Sequence, residues 1–181
     1  MMWFALIKRY WQVSLLRETP EHTPCSILLL SIIAAIFFFL VVVQWLMADS
    51  EALFTLNTAI LAAGTLVLSY GLYTVALLSV FSVSHRTVQS LSCLLAGHAI
   101  VHILAFPLLL FAPFLIKIQL PPLLGLLLGI TYLICTFVLS IWQFIISVHI
   151  YKNALSITYF PAALASFGLI ACNILIVSLW R

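Results

Sequence analysis

Charge is the scarcest property of this chain. Of 181 residues only 6% are charged, seven Lys or Arg against four Asp or Glu, while 66% are hydrophobic. Soluble domains carry roughly a quarter charged residues, so an ordinary water-soluble fold is excluded. The formal net charge of +3 is too small and too scattered for a nucleic-acid surface. Cysteine is sparse as well: Cys25, Cys93, Cys135 and Cys172 fall in or beside four different hydrophobic runs, with no CxxC spacing. That pattern excludes a disulfide framework and points to apolar filler. Catalytic signatures are missing: there is no HExxH, no GxSxG, no phosphate-cradling glycine loop and no pair of carboxylates inside a run. With no soluble catalytic domain either, the expectation is a non-enzymatic protein with no cofactor and no catalytic residue.

What is present is hydrocarbon in long runs. Residues 26–48 contain no ionisable side chain, and residues 52–84 none apart from tyrosines. A bilayer core takes about 20 apolar helical residues to cross, whereas barrel strands would be about ten residues of alternating polarity. The expected fold is therefore an all-α membrane protein, a bundle of five transmembrane helices near 26–47, 56–80, 91–113, 123–147 and 159–180. The first run starts too far from the N-terminus, and is too long, for a cleavable secretory signal; it reads as a retained span.

Lys and Arg in short flanks concentrate on the cytoplasmic side. With the N-terminus inside, the inner segments hold Lys8, Arg9, Arg17, Arg86 and Lys152, and the outer segments hold Lys117 and Arg181. That balance predicts a cytoplasmic N-terminus, a periplasmic C-terminus and an acidic first outer loop, ADSEA. Residues 1–25 form a separate cytoplasmic segment. Within it WFALIKRYWQVSLLR reads as a short amphipathic helix, with Ala5, Lys8, Arg9 and Gln12 on one side and Phe4, Ile7, Trp11 and Leu15 on another. Basic residues beside Trp and Tyr suit a helix lying in the headgroup layer. Pro20 and Pro24 prevent one continuous helix into the first span.

The fourth span carries an orderly stripe. Gly125, Gly129, Tyr132, Thr136, Ser140, Gln143 and Ser147 recur at alternating spacings of four and three, drawing one line down a helix. Its GxxxG permits close backbone approach, and its polar groups can bond across helices. Gly64 and Gly71 on the second span and Gly168 on the fifth make similar small-residue edges. Such faces explain assembly of a bundle; a polar path for a solute is the other reading. On the third span, GHAIVHILAFP sets His98 and His102 one turn apart, on one face. Ionisable residues inside a membrane are functional candidates by default. Two imidazoles are an incomplete zinc set, so no metal site is expected, and neutral histidines bonded to the polar stripe of the fourth span fit best. Proton or solute handling, and a metal or haem site completed by Cys93 or Cys135, stay open. Pro107 and Pro113 are expected to kink or end this helix.

Three segments carry a resemblance: LLRETPEHTP before the first span, RTVQSLSCLLAGHAIVHILAFP through the third, and WQFIISVHIYKNAL leaving the fourth. Together they resemble a group of small five-span inner-membrane proteins of proteobacteria, broadly similar to the Yip1-like integral membrane fold. The resemblance implies a topology and a bacterial inner-membrane location, not an activity. The cytosolic segment by which eukaryotic Yip1 proteins bind small GTPases is absent here, so that partner does not carry over. It agrees with the threading that brings Arg17, Glu18, Glu21, His22, Arg86, His149 and Lys152 to one cytoplasmic surface. Ordinary loop solvation with an ion pair such as Glu21–Arg86 accounts for that cluster; so does a docking surface for a protein partner or for anionic lipid headgroups at Arg17, Arg86 and Lys152. Three functions follow. The first is a scaffold or assembly factor presenting those loops to a protein partner, or to its own copies, in the lipid bilayer. The second is a small oligomeric transporter or channel subunit with a polar path between spans three and four. The third is a metal or haem protein built on His98 and His102.

Overall fold

The computed structural model describes residues 2–48, 55–117 and 121–180. The acidic stretch between the first two spans and the terminal Arg181 lie outside the described residues. Six α-helices make up the fold: α1 (Met2–Ser14), α2 (Ile27–Ala48), α3 (Leu56–Val80), α4 (Thr87–Lys117), α5 (Pro122–Leu155) and α6 (Tyr159–Ser178), with no strand among the described residues. Short 3-10 turns at Pro20–His22 and Ser84–Arg86 lead into α2 and α4. Among the described residues five segments are long and apolar enough to cross a membrane: Ile27–Met47, Leu56–Val80, Ser84–Phe111, Leu123–Leu155 and Tyr159–Ser178. The chain is an all-α integral membrane protein whose five apolar helices follow a short N-terminal one.

Two helices outrun their expected boundaries. α4 starts at Thr87 and continues to Lys117, so neither Pro107 nor Pro113 ends it. A membrane helix accommodates proline where neighbouring groups take up the freed backbone carbonyls. α5 stays helical through HIYKNAL and stops only where Ser156 turns left-handed at φ 55°. There the Ser156 and Ile157 amides close back on the carbonyls of Asn153 and Lys152. At 31 and 34 residues, α4 and α5 are much longer than α2 and α6, at 22 and 20.

α4 is the central post. Every residue from 91 to 99 is buried, a pattern only a helix enclosed on all sides produces. α1, α2, α3 and α5 surround it, and α6 closes the bundle against α3 and α5. Gly97 makes this possible. A Cβ there would run into Ile146 of α5 and lie 3.4 Å from the Ser14 hydroxyl of α1, so three helices converge on a position that only glycine fits without displacement.

α1 docks by neither of its expected faces. Tyr10, Val13 and Ser14 are buried, whereas Phe4, Ile7, Lys8 and Arg9 are exposed. Trp11 meets Trp142 edge-on at 6.3 Å, and the Trp142 indole N–H donates to the Ser14 carbonyl at 2.9 Å. A third stripe thus binds the bundle, flanked by Trp11 of the apolar face, while Phe4, Ile7, Lys8 and Arg9 point outward. The last turn of α1 therefore packs at the level of Gly97 of α4 and Trp142 of α5. Burial pushes the Tyr10 phenol up to about 12, with the nearby Cys93 thiol adding to the shift and the Ser92 hydroxyl opposing it; among the described residues its buried hydroxyl makes no hydrogen bond of regular geometry.

Candidate functional site

The polar groups that the sequence scatters over five hydrophobic runs meet in the middle of the bundle. His98 sits eleven residues beyond Thr87, roughly 16 Å along the axis of α4, which is about half a hydrocarbon core. Its hydrogen bonds fix its tautomer. The Ser147 hydroxyl donates its only hydrogen to the Gln143 carbonyl at 3.1 Å, so Ser147 Oγ must accept from His98 Nε2–H at 2.9 Å. In the neutral ring Nδ1 is then an acceptor, and the Tyr70 hydroxyl and Gln143 Nε2 donate to it at 2.7 and 3.1 Å. Partners on α3 and α5 satisfy both ring nitrogens, as a buried imidazole requires.

His102 is held from another side. Gln44 of α2 donates through Nε2 to the His102 carbonyl at 2.7 Å. That bond fixes which way the amide points, because a carbonyl oxygen can only accept. Gln44 Oε1 therefore faces His102 Nδ1, to which it is bonded, and Nδ1 carries the proton. Nε2 of His102 is left with a bare lone pair and has no hydrogen-bond partner among the described residues. The imidazole packs edge-on against Phe37 at 5.4 Å, and Phe37 packs in the same way on Tyr70 at 5.5 Å.

Both histidines line one cavity of about 520 Å³, to which all five apolar helices contribute. Its polar floor is Tyr70, His98, His102, Gln143, Ser147 and Asn173; its walls include Val41, Leu66, Phe144, Ile170 and Val177. Asn173 of α6 is bonded to Ser69 Oγ of α3 at 2.8 Å. Because Trp45, Val177 and Ser178 lie near the ends of α2 and α6, the cavity runs from mid-bundle toward the end opposite α1. A narrower crevice of about 120 Å³ continues between α4 and α5, lined by His102, Tyr132, Thr136, Ser140 and Gln143. The stripe on the fourth span therefore lines an open space. The Thr136 and Ser140 hydroxyls are turned back onto the carbonyls one turn earlier.

The glycines divide. A Cβ on Gly64 would make only ordinary contact with Phe38, and one on Gly168 would collide with the Tyr73 hydroxyl, while one on Gly71 or Gly129 would have nothing within 4 Å among the described residues. Gly125 is half-buried. The half of α5 that carries the GxxxG is exposed along nearly its whole length.

The expected charged surface is largely tied up within the chain. Arg86 Nη1 pairs with Glu21 at 2.8 Å and lies 3.2 Å from the Asn153 and Ala154 carbonyls, capping α5. Glu18 lies 3.9 Å from Arg9, and its carbonyl accepts from His149 Nε2 at 2.8 Å. Arg9 donates to the His22 carbonyl at 2.6 Å, and the Lys152 ammonium sits over the Tyr159 ring at 4.1 Å. Among the described residues Arg17 is exposed and makes no ion pair. No three His, Cys, Asp or Glu side chains converge among the described residues, so His98 and His102 have no third metal ligand beside them.

Tyr70, Gln44 and Asn173 are the site residues that sequence reasoning passed over. Gln44 and Asn173 are solitary polar residues in apolar runs, whereas Tyr70 lies in the polar patch of LSYGLYT with Ser69, Tyr73 and Thr74. No family model matches the chain, and neither a curated protein nor a solved structure shows a significant likeness to it.

Proposed function

We propose that this integral membrane protein holds a small molecule within the bilayer, in the cavity between its five spans, as a binding or transport subunit. One observation carries the reading: a cavity of about 520 Å³ with an apolar wall and a few convergent polar groups, the usual form and size of a small-molecule site. Intramembrane imidazoles lining an open space point the same way. The flanking Lys and Arg favour an inner-membrane chain with a cytoplasmic N-terminus, which makes the cavity open toward the outer half of the bilayer. The resemblance to Yip1-like five-span proteins fits that threading.

The test is the content of the purified protein. Ile174 borders the cavity and is 60% exposed, so Ile174→Trp narrows the space without entering the core. Small-molecule and lipid extracts of the wild type should contain a component that Ile174→Trp lacks. Identical extracts would contradict the reading.

A scaffold role keeps one specific support. Arg17 makes no ion pair among the described residues, and Trp3, Phe4 and Ile7 face outward on α1 beside Lys8. That composition suits anionic headgroups. Arg17→Glu should weaken attachment of the N-terminal segment to phosphatidylglycerol vesicles if this surface is used.

A further inference from the structure

We propose that the cavity takes an uncharged amphiphile whose hydroxyl group donates to Nε2 of His102 while its hydrocarbon lies along the apolar wall: a long-chain alcohol, or a lipid ending in a free hydroxyl. The inference rests on reading the cavity as a binding site and adds the class of ligand.

Charge is the first discriminator. Among the described residues none lining the cavity is Asp, Glu, Lys or Arg, and the hydrogen bonds of both histidines are those of neutral rings. An ionised ligand would be buried with no counter-ion, an arrangement membranes and protein interiors penalise heavily. Fatty acids, phosphates and amines are disfavoured on that ground.

Donor–acceptor balance is the second. Tyr70 gives its hydrogen to His98, Ser147 to the Gln143 carbonyl, and Ser140 to the Thr136 carbonyl. One open position on the floor is an acceptor, Nε2 of His102, kept open because Gln44 holds the proton on the opposite nitrogen; the Asn173 amide, bonded through one atom to Ser69 Oγ, adds an N–H donor, so a hydroxyl, which both donates and accepts, meets both. A bare lone pair selects a donor, so ethers, esters and ketones, which only accept, leave it unsatisfied. Shape is the third. The wall from Leu66 through Ile170 to Val177 is hydrocarbon and leads from the floor to the end of the bundle opposite α1.

The full chain is placed in nanodiscs of phosphatidylethanolamine and phosphatidylglycerol with photoreactive hexadecanol, its methyl ether, or photoreactive palmitate. Labelled positions are mapped by mass spectrometry. The alcohol should label cavity-lining peptides of α5 and α6 about tenfold more than the ether, and unlabelled hexadecanol should compete. His102→Leu should lower alcohol labelling to the ether level. Gln44→Leu frees the ring to change tautomer, so it should raise the ether relative to the alcohol even if His102→Leu does not fold. Equal labelling of the cavity by alcohol, ether and palmitate would overturn the hydroxyl-selective ligand while leaving a binding cavity. Labelling of the cavity no stronger than of the exposed face of α5 would overturn both.

Discussion

His98 and His102 stand one turn apart on α4 in opposite tautomers, His98 protonated on Nε2 and His102 on Nδ1. Single-hydrogen accounting fixes both: Ser147 has one proton to give and Gln44 one orientation that serves a backbone carbonyl. Both ring nitrogens of His98 are thereby bonded, whereas Nε2 of His102, which also lines the cavity, has no partner among the described residues. The pair is not a symmetrical ligand set. One imidazole builds the floor, and the other faces what arrives.

Removing the acceptor beneath His98 should be felt in stability. Ser147→Ala strands a buried N–H, and His98 is only 3% exposed, so the loss should be about 1–2 kcal/mol, above the ~0.6 kcal/mol average for hydrogen bonds between membrane helices. Thermal denaturation in mild detergent, compared with Ser140→Ala, checks it. The control should change little, because Ser140 only back-bonds within its own helix.

Arg86 and Glu21 should prove unequal. Arg86→Ala takes a cation from the C-terminal carbonyls of α5, whereas Glu21→Ala removes a half-exposed partner. Glu21→Ala should cost less than about 1 kcal/mol. Arg86→Ala should cost more and expose the 152–158 connection to limited proteolysis, which compares the variants directly.

Gly97 and Gly129 offer opposite outcomes. Gly97→Val forces side-chain volume into Ile146 and Ser14 and should destabilise by about 1–3 kcal/mol, loosening α1 from α4. Gly129→Leu meets open space and should leave the melting temperature of the single chain unchanged. Melting curves of the two variants decide.

Tyr10→Phe should be neutral or stabilising, since the buried hydroxyl it removes makes no hydrogen bond of regular geometry among the described residues. The alkaline behaviour has a definite sign. The phenol, normally near 10.0, is raised to about 12 by burial, so its contribution is present below pH 10 and is lost as pH rises toward 12. Tyr10→Phe should flatten that part of the stability–pH curve, as denaturation between pH 9 and 12 would show.

The five apolar helices were legible because hydrocarbon length alone dictates them. The bond from His98 to the fourth span was legible too, since Gln143 and Ser147 lie on a periodic stripe. His102 was not. Its partner, Gln44, is one amide in the run VVVQWLM, and only the packing of α2 on α4 turns it toward the ring. Asn173 was hidden in the same way, because a single polar residue sets up no period; Tyr70 was hidden among Ser69, Tyr73 and Thr74, which give no sign of which one meets His98. The docking face of α1 was missed because Tyr10, Val13 and Ser14 form neither its most basic nor its most apolar side; a complementary notch at Gly97 selects them.

The most direct test is ¹⁵N NMR of the imidazole nitrogens of the histidine-labelled protein in nanodiscs, assigned with His98→Asn and His102→Asn. The account predicts bare nitrogens at His98 Nδ1 and His102 Nε2, protons on the other two, and a shift on adding hexadecanol confined to His102 Nε2. The same tautomer at both residues, or hexadecanol shifting neither, would contradict it.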